Sequence, residues 1–319
     1  MTGDTAVPPA GSGTGARVAD APRPSGRRAR PVGPARHAAD RRVASFAAGT
    51  DALGELAAGG ARVSASVVDL ATGASILDID ESIALPTASL GKVLLLIEHS
   101  ARMTARDELA QGLVERTVDD SVGDSGLWQH LQAAVLPTVD LAALVGSVSD
   151  NLATNALLRR FGLDAVRARG ESLGLRRTAL LDRVRDRRGP DDAPQLSIGS
   201  TGELSRLFAA LARGQVVDSM TSRRVMGALA LGVDLSMVAS AFGLDPLAHR
   251  ALDHGIQLVN KTGTDAGVRA EAGAVRGPTG AVGYAVTVQF DDATLADRLR
   301  VLTAMRTVGT DLLEFVAGV

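Results

Sequence analysis

The chain has 319 residues, a formal net charge of −2, 45% hydrophobic residues and only 3% aromatic ones. This length suits one large domain or two modest ones with a core of aliphatic residues and Ala, and the charge gives no reason to expect nucleic acid or an acidic membrane as a partner. Zero cysteines exclude disulfides, thiolate metal sites and a cysteine nucleophile, and the five histidines (His37, His99, His130, His249, His254) show neither an i,i+4 pair nor an H-x-H spacing, so no metal is expected.

Residues 1 to about 40 hold six of the twelve prolines, and through residue 42 eight Arg stand against three Asp. So little apolar surface cannot offset the entropy of ordering, so a disordered Pro/Arg-rich tail is expected over 1–40. A solvated tail is the simpler reading than a tether to an acidic partner. Arg41-Arg42 followed by VASFAAGTDALGELAAGGA has the outline of a twin-arginine signal, but Asp51 and Glu55 interrupt its apolar run. No run of about 18 apolar residues is present to span a membrane. An unexported, cytoplasmic protein is expected.

From Arg42 the pattern is ordered. VASFAAGTDALGELAA has helical spacing closed by Gly59-Gly60, and VSASVVDL and ASILDID are two strands around Ala71-Thr72-Gly73. Helical periodicity then dominates residues 86 to 235, with Ser200-Thr201-Gly202-Glu203 a candidate capping box. IQLVNKTGT, VRAEAGAVR and AVGYAVTVQF are strand-like, and an amphipathic helix runs from about Thr294 to Val316. Hairpin-length links predict an antiparallel sheet. The expected organisation is a mixed α/β (α+β) fold: an α/β subdomain over 41–82 and 236–319, interrupted by a helical subdomain over 83–235. Small-molecule sites favour such interfaces.

Of the 34 Lys and Arg residues, only Lys92 and Lys261 are lysine, and Asn151, Asn155 and Asn260 are the only asparagines. Ser89 and Lys92 lie three apart at the start of an apolar helix introduced by Pro86-Thr87, which places an amine and a hydroxyl on one face. Such a pair can activate serine without histidine. The helix start also directs free N–H groups towards the serine. A lysine can lose its proton when buried beside another cation, whereas an arginine cannot. Alone, S-x-x-K is equally what a capping Ser and a snorkelling Lys would produce. Ser149-Asp150-Asn151 between two helical runs has an N-cap cluster as its plain reading, and Lys261-Thr262-Gly263 has a strand end entering a turn. Together they say more: 60 residues separate Ser89 from Ser149 and 112 separate Ser149 from Lys261, and both lysines of the chain fall inside the set.

S-x-x-K, S-D-N and K-T-G in this order resemble the class A β-lactamases and related penicillin-binding proteins. The likeness covers roughly residues 43 to 319, with VSASVVDLATGASILDIDE similar to the family's first hairpin and SDNLATNALL to its S-D-N helix. The resemblance implies a β-lactamase-like fold, with an antiparallel sheet flanked by helices and an inserted helical subdomain. It implies Ser89 as the acylated nucleophile, Lys92 as general base or proton relay, and Ser149 as the proton donor to the leaving nitrogen. Asn151 would hold Lys92 and the substrate amide. Lys261 would bridge Ser149 and a substrate carboxylate, with Thr262, Gly263 and Thr264 along the substrate-binding strand. The oxyanion hole would be the N–H groups of Ser89 and Thr264. Arg269 is a candidate second carboxylate anchor, although a surface strand Arg is as good a reading. No cofactor and no metal are implied, and a monomer acting on a small-molecule substrate is expected.

One departure matters. The family's omega-loop Glu, which activates the deacylating water, falls on Arg185 here, and its Asn falls on Gly189. Arg185 lies 16 residues before Thr201, so the loop has full length. A guanidinium is no general base near neutral pH, and the neighbouring Asp182 or Asp186 is the remaining substitute. The expected function is a serine hydrolase acylated by a β-lactam or related amide or ester, with weak or altered deacylation. A non-catalytic β-lactam-binding or sensing protein, or an esterase on the same fold, is the alternative. Specificity is expected to rest on loops around Trp128, Arg185 and Arg269.

Overall fold

A computed structural model describes residues 46–318; the Pro/Arg-rich segment and Arg41-Arg42 lie outside the described residues. The chain enters α1 (Ala47–Ala58), the segment that would be the apolar run of a leader. It packs against the fold, with Leu53 1% exposed. No helix among the described residues is long and apolar enough to cross a membrane. Then follow β1 (Arg62–Asp69), β2 (Ser75–Ile79) and the two-residue β3 (Leu85–Pro86). Next come α2 (Lys92–Thr104) and a small ladder of β4 (Leu113–Glu115) with β5 (Val135–Pro137). They precede α3 (Thr138–Val148), α4 (Asn151–Phe161) and α5 (Leu163–Ser172). Short β6 (Ala179–Leu180) and β7 (Ser197–Gly199) pair with each other and, through β7, with β3. After α6 (Thr201–Ala212) and α7 (Ser219–Leu229) come β8 (Gln257–Asp265), β9 (Val268–Arg276), β10 (Ala281–Gln289) and α8 (Leu295–Ala317).

The antiparallel sheet has the order β2-β1-β10-β9-β8, so the strand carrying Lys261-Thr262-Gly263 is an edge. Strand alternation sends successive side chains to opposite faces, and each face has its own apolar core. Val63, Val67, Tyr284 and Val286 meet Leu53 of α1 and Met305, Val308 and Leu312 of α8. Val259, Ala270, Ala272 and Ala285 join the leucine-rich α2, α4 and α6 on the other side. Small residues let α6 lie close to the sheet: the hydroxyls of Ser64 and Thr201 are 2.6 Å apart, those of Ser66 and Ser205 2.9 Å. A Cβ on Gly283 would stand 2.4 Å from the Ser205 carbonyl.

The expected capping box at α6 forms by half. The Ser200 hydroxyl accepts from the Glu203 N–H at 3.3 Å, but Glu203 turns away to accept from the Arg176 and Arg177 N–H groups. At α8 Thr294 and Asp297 make the reciprocal pair that defines the box.

Two glycines set how closely the sheet approaches the start of α2. A Cβ on Gly263 would stand 2.0 Å from the Thr87 carbonyl oxygen, and one on Gly91 2.3 Å from Ser197 Cβ. Gly263→Ala therefore forces backbone apart and is expected to cost about 1–3 kcal/mol of unfolding free energy in urea titrations. Gly54→Ala, on an exposed stretch of α1 with open space around it, is expected to gain about 0.5–1 kcal/mol in the same measurement.

Candidate active site

Ser89 lies in a single 3₁₀ turn, Ala88–Gly91, and α2 begins at Lys92. In a 3₁₀ turn residues three apart eclipse one another, so the hydroxyl and amine are stacked more directly than on an α-helix. Ala88, just before the serine, has φ 47°, a left-handed conformation that costs a non-glycine residue on the order of 1–3 kcal/mol. β7 holds it there. The Ser197 hydroxyl donates to the Ala88 carbonyl at 2.6 Å, and the Thr87 hydroxyl in turn donates to Ser197 Oγ at 2.7 Å.

The S-D-N segment supplies both the plain and the functional reading at once. Asp150 caps α4 through the Ala153 N–H, and its other oxygen accepts from the Leu127 and Trp128 N–H groups. Ser149 ends α3 at φ 56°, ψ 37°, where glycine is usual, and the Asp150 N–H closes the helix on the Leu144 carbonyl. That twist turns the Ser149 hydroxyl towards two lysines.

Lys92 is fully buried. Its Nζ donates to the Ser149 carbonyl and to Asn151 Oδ1, both at 2.7 Å, and lies 3.2 Å from Ser149 Oγ. Lys261 Nζ donates to the same Oγ at 3.0 Å and to the Thr262 carbonyl at 2.8 Å. Burial, and then the neighbouring charge of Lys261, push the Lys92 amine well below the ordinary lysine value, while Asp150 and Asp124 oppose the shift. Burial lowers Lys261 to about 8, against the charge of Asp234. Both lysines are therefore shifted towards the neutral amine, with burial as the common cause. A neutral Lys92 has two N–H groups for its two acceptor-only neighbours and a lone pair left for the Ser149 hydroxyl.

No hydrogen bond joins Ser89 Oγ to Lys92 among the described residues; Ser89 faces a cavity of about 310 Å³ that it lines with Ser149, Lys261, Thr262 and Thr264. The Thr262 carbonyl points off the free edge of β8, since it accepts from Lys261. A residue of an antiparallel strand turns its N–H and C=O to the same side, with period two. The Thr264 N–H therefore also faces off that edge. The Ser89 N–H has no hydrogen-bond partner among the described residues either. Gly263 sits between, where its lack of a side chain lets the strand reach the turn that carries Ser89.

Other expected residues stand elsewhere. Arg269 does not line the cavity: it is 6% exposed, donates to the Asp265 and Val268 carbonyls, and faces Asp292 and the Phe290 ring. Trp128 is fully buried with its indole N–H on the Ala133 carbonyl, so it cannot touch a substrate. Arg185 pairs with Asp182 at 2.8 Å and Asp192 at 2.9 Å, and Arg188 also holds Asp182. These guanidiniums keep Asp182 below the usual carboxylate range despite its burial. Asp186 accepts from the Gly123 N–H. No residue of 181–196 lines the cavity.

Sequence reasoning missed three contributors. Asn155 clamps the 181–196 segment by donating to the Asp120 and Val184 carbonyls and accepting from the Val184 N–H; its scarcity was the only signal. Asp124 and Asp234 both line the cavity. Only the glycines beside Asp124, which mark a loop, hinted at it.

The solved structures similar to this chain share its fold. A β-lactamase from Sphaerobacter thermophilus superposes with a TM-score of 0.74 at 23% identity, covering 86% of this chain and 98% of that one. A β-lactamase from Burkholderia vietnamiensis gives 0.67 at 20%, covering 84% and 96%. A PBP-A mutant, solved as an acyl-enzyme complex with penicillin G, gives 0.68 at 19%, covering 83% and 94%. No curated protein matches the chain. The model of the β-lactamase enzyme family matches residues 49–316, from the first turn of α1 to the end of α8. The chain belongs to the β-lactamase enzyme family and is a serine hydrolase of that type.

Proposed function

We propose that the protein is acylated on Ser89 by a β-lactam or a related amide or ester, and that it releases the acyl group slowly. Ser89 Oγ bonds to the carbonyl carbon as its proton passes to neutral Lys92. The oxyanion that forms accepts from the Ser89 and Thr264 N–H groups. Its collapse breaks the bond to the leaving nitrogen or oxygen, which takes the Ser149 proton, and Lys92 restores that proton across the 3.2 Å contact. Lys92 ends neutral, so no external acid is consumed. Lys261, Thr262 and Thr264 offer a substrate carboxylate one cation and two hydroxyls.

The observation that carries this reading is the shared Ser149 hydroxyl, held between a cation at 3.0 Å and an amine at 3.2 Å. Slow release is supported by the cavity lining. No carboxylate of 181–196 reaches it, and Arg185 is tied to Asp182 and Asp192. The PBP-A mutant solved as an acyl-enzyme is a precedent for a trapped adduct on this fold. Capture without turnover is the limiting case of the same arrangement. Turnover through a water activated by Lys92, the esterase reading, is the other limit.

Incubation with benzylpenicillin is expected to give one stoichiometric adduct by intact mass, decaying over many minutes, and none in Ser89→Ala. Rapid steady release of hydrolysed product would overturn slow deacylation, and no adduct on the folded protein would overturn acylation. Lys92→Arg is expected to lower the acylation rate by about 10²–10⁴-fold, the usual worth of a general base, with folding checked by circular dichroism. The acylation rate of the unaltered protein is expected to fall as pH rises through about 8, because deprotonation of Lys261 removes the cation beside Ser149. A rate still rising at pH 9 would contradict that role.

A further inference from the structure

Two carboxylates in the cavity, Asp124 and Asp234, have no part in the acylation chemistry. Asp234 is engaged locally, its Oδ1 accepting from the Ser236 N–H and hydroxyl at 3.1 and 2.6 Å. The other acids nearby are engaged too: Asp182 and Asp192 on arginines, Asp120 on Arg159, Asp186 on the Gly123 N–H. The Asp124 carboxylate has no ion pair and no hydrogen bond among the described residues, yet it is close enough to Lys92 for its charge to be felt there.

The backbone that carries this carboxylate is firmly held. The Asn151 side chain donates to the Gly123 carbonyl at 3.1 Å, and the Asn151 N–H donates to the Ser125 carbonyl at 3.0 Å. Gln129 donates to the Asp124 carbonyl itself at 3.0 Å. Gly126 then passes so close to Asp150 that a Cβ would stand 2.7 Å from its carboxyl carbon. Asp124 has φ 66°, a left-handed conformation that Asp tolerates better than most residues. The asparagine that accepts from Lys92 therefore also holds the backbone that carries Asp124 at the cavity.

Lys92 does not line the cavity, so among the described residues Lys261 is the one cation that does, set against Asp124 and Asp234. A substrate bearing only a carboxylate would gain from Lys261 but be repelled by Asp124. One that adds an ammonium group to its acyl portion would satisfy both. Building on the acylation reading, we propose that Asp124 is a specificity-determining residue that selects zwitterionic acyl donors, their carboxylate towards Lys261, Thr262 and Thr264 and their ammonium towards Asp124. Discrimination of this kind combines attraction for one substrate with repulsion of its competitor.

The test is the second-order rate of Ser89 labelling in the full chain by three penicillins. Ampicillin carries a side-chain ammonium, benzylpenicillin no side-chain charge and carbenicillin a side-chain carboxylate. The expected order is ampicillin, benzylpenicillin, carbenicillin, with steps of about twofold to fivefold, the size of an exposed charge pair, shrinking as salt is added. Asp124→Asn is expected to collapse the spread. Asp124→Gly, which suits the left-handed backbone, is expected to do the same and so controls for any effect of the amide. Benzylpenicillin reacting fastest, or an unchanged order and spread in both variants, overturns the proposal and leaves acylation standing. No labelling by any of the three overturns both readings together.

Discussion

Two lysine nitrogens lie within hydrogen-bonding distance of one serine hydroxyl in a buried site, where keeping both charged is costly. Burial penalises each ammonium, and each penalises the other. Burial shifts both amines towards the neutral form, and Lys92, the more enclosed of the two, also feels the charge of Lys261; its partners are oxygens that a neutral amine can satisfy. Lys261 keeps its proton at neutral pH and opens towards the cavity. On the proposed reading the site is a base and a cation made from one residue type. Arginine, used almost everywhere else in the chain, cannot take the first role and would not fit the second as a compact charge.

That division depends on backbone placed at some cost. Ser149 and Ala88 both adopt left-handed conformations, and each is held by neighbours: Ser149 by the closed end of α3, Ala88 by the hydroxyls of Ser197 and Thr87. Gly263 and Gly91 remove the side chains that would keep β8 and β7 from the turn that carries Ser89. The edge strand supplies outward N–H groups because nothing pairs with it on that side, and an active site is one productive use of an exposed edge. Beneath it, Glu271 is fully buried yet accepts from Tyr284, Asn260 and the Ala239 N–H, with burial raising it to about 7. It ties the lysine strand to the segment that leads into it.

The 181–196 segment shows the same economy turned to a different end. Arg185 and Arg188 pair with Asp182 and Asp192, Asn155 and Asp186 fasten the segment to the 117–124 loop, and none of its residues lines the cavity. The carboxylates that do face it stand on other loops. On the proposed reading, no carboxylate of this segment is left at the cavity to activate water.

The periodicity of the chain carried the order of strands, the inserted helices and the closing helix, because apolar alternation and 3.6-residue spacing are local properties. The three motifs were legible for a similar reason: residue type alone limits what Lys92 and Lys261 can do in an arginine-rich chain. What local pattern could not contain was direction. Whether Arg269 points into the cavity or onto Asp292, whether Trp128 lines a site or fills a core, and that Asp124 is the acid left unpaired, all depend on which distant segments meet. Gly263 shows the limit most plainly: in sequence it is one letter of a motif, but the need for it arises only where β8 presses on a turn more than 170 residues earlier. Chemistry of residue type was settled by the sequence; the pairing of charges across space was settled by the tertiary structure, because a charge's partner is fixed by distance and not by position in the chain.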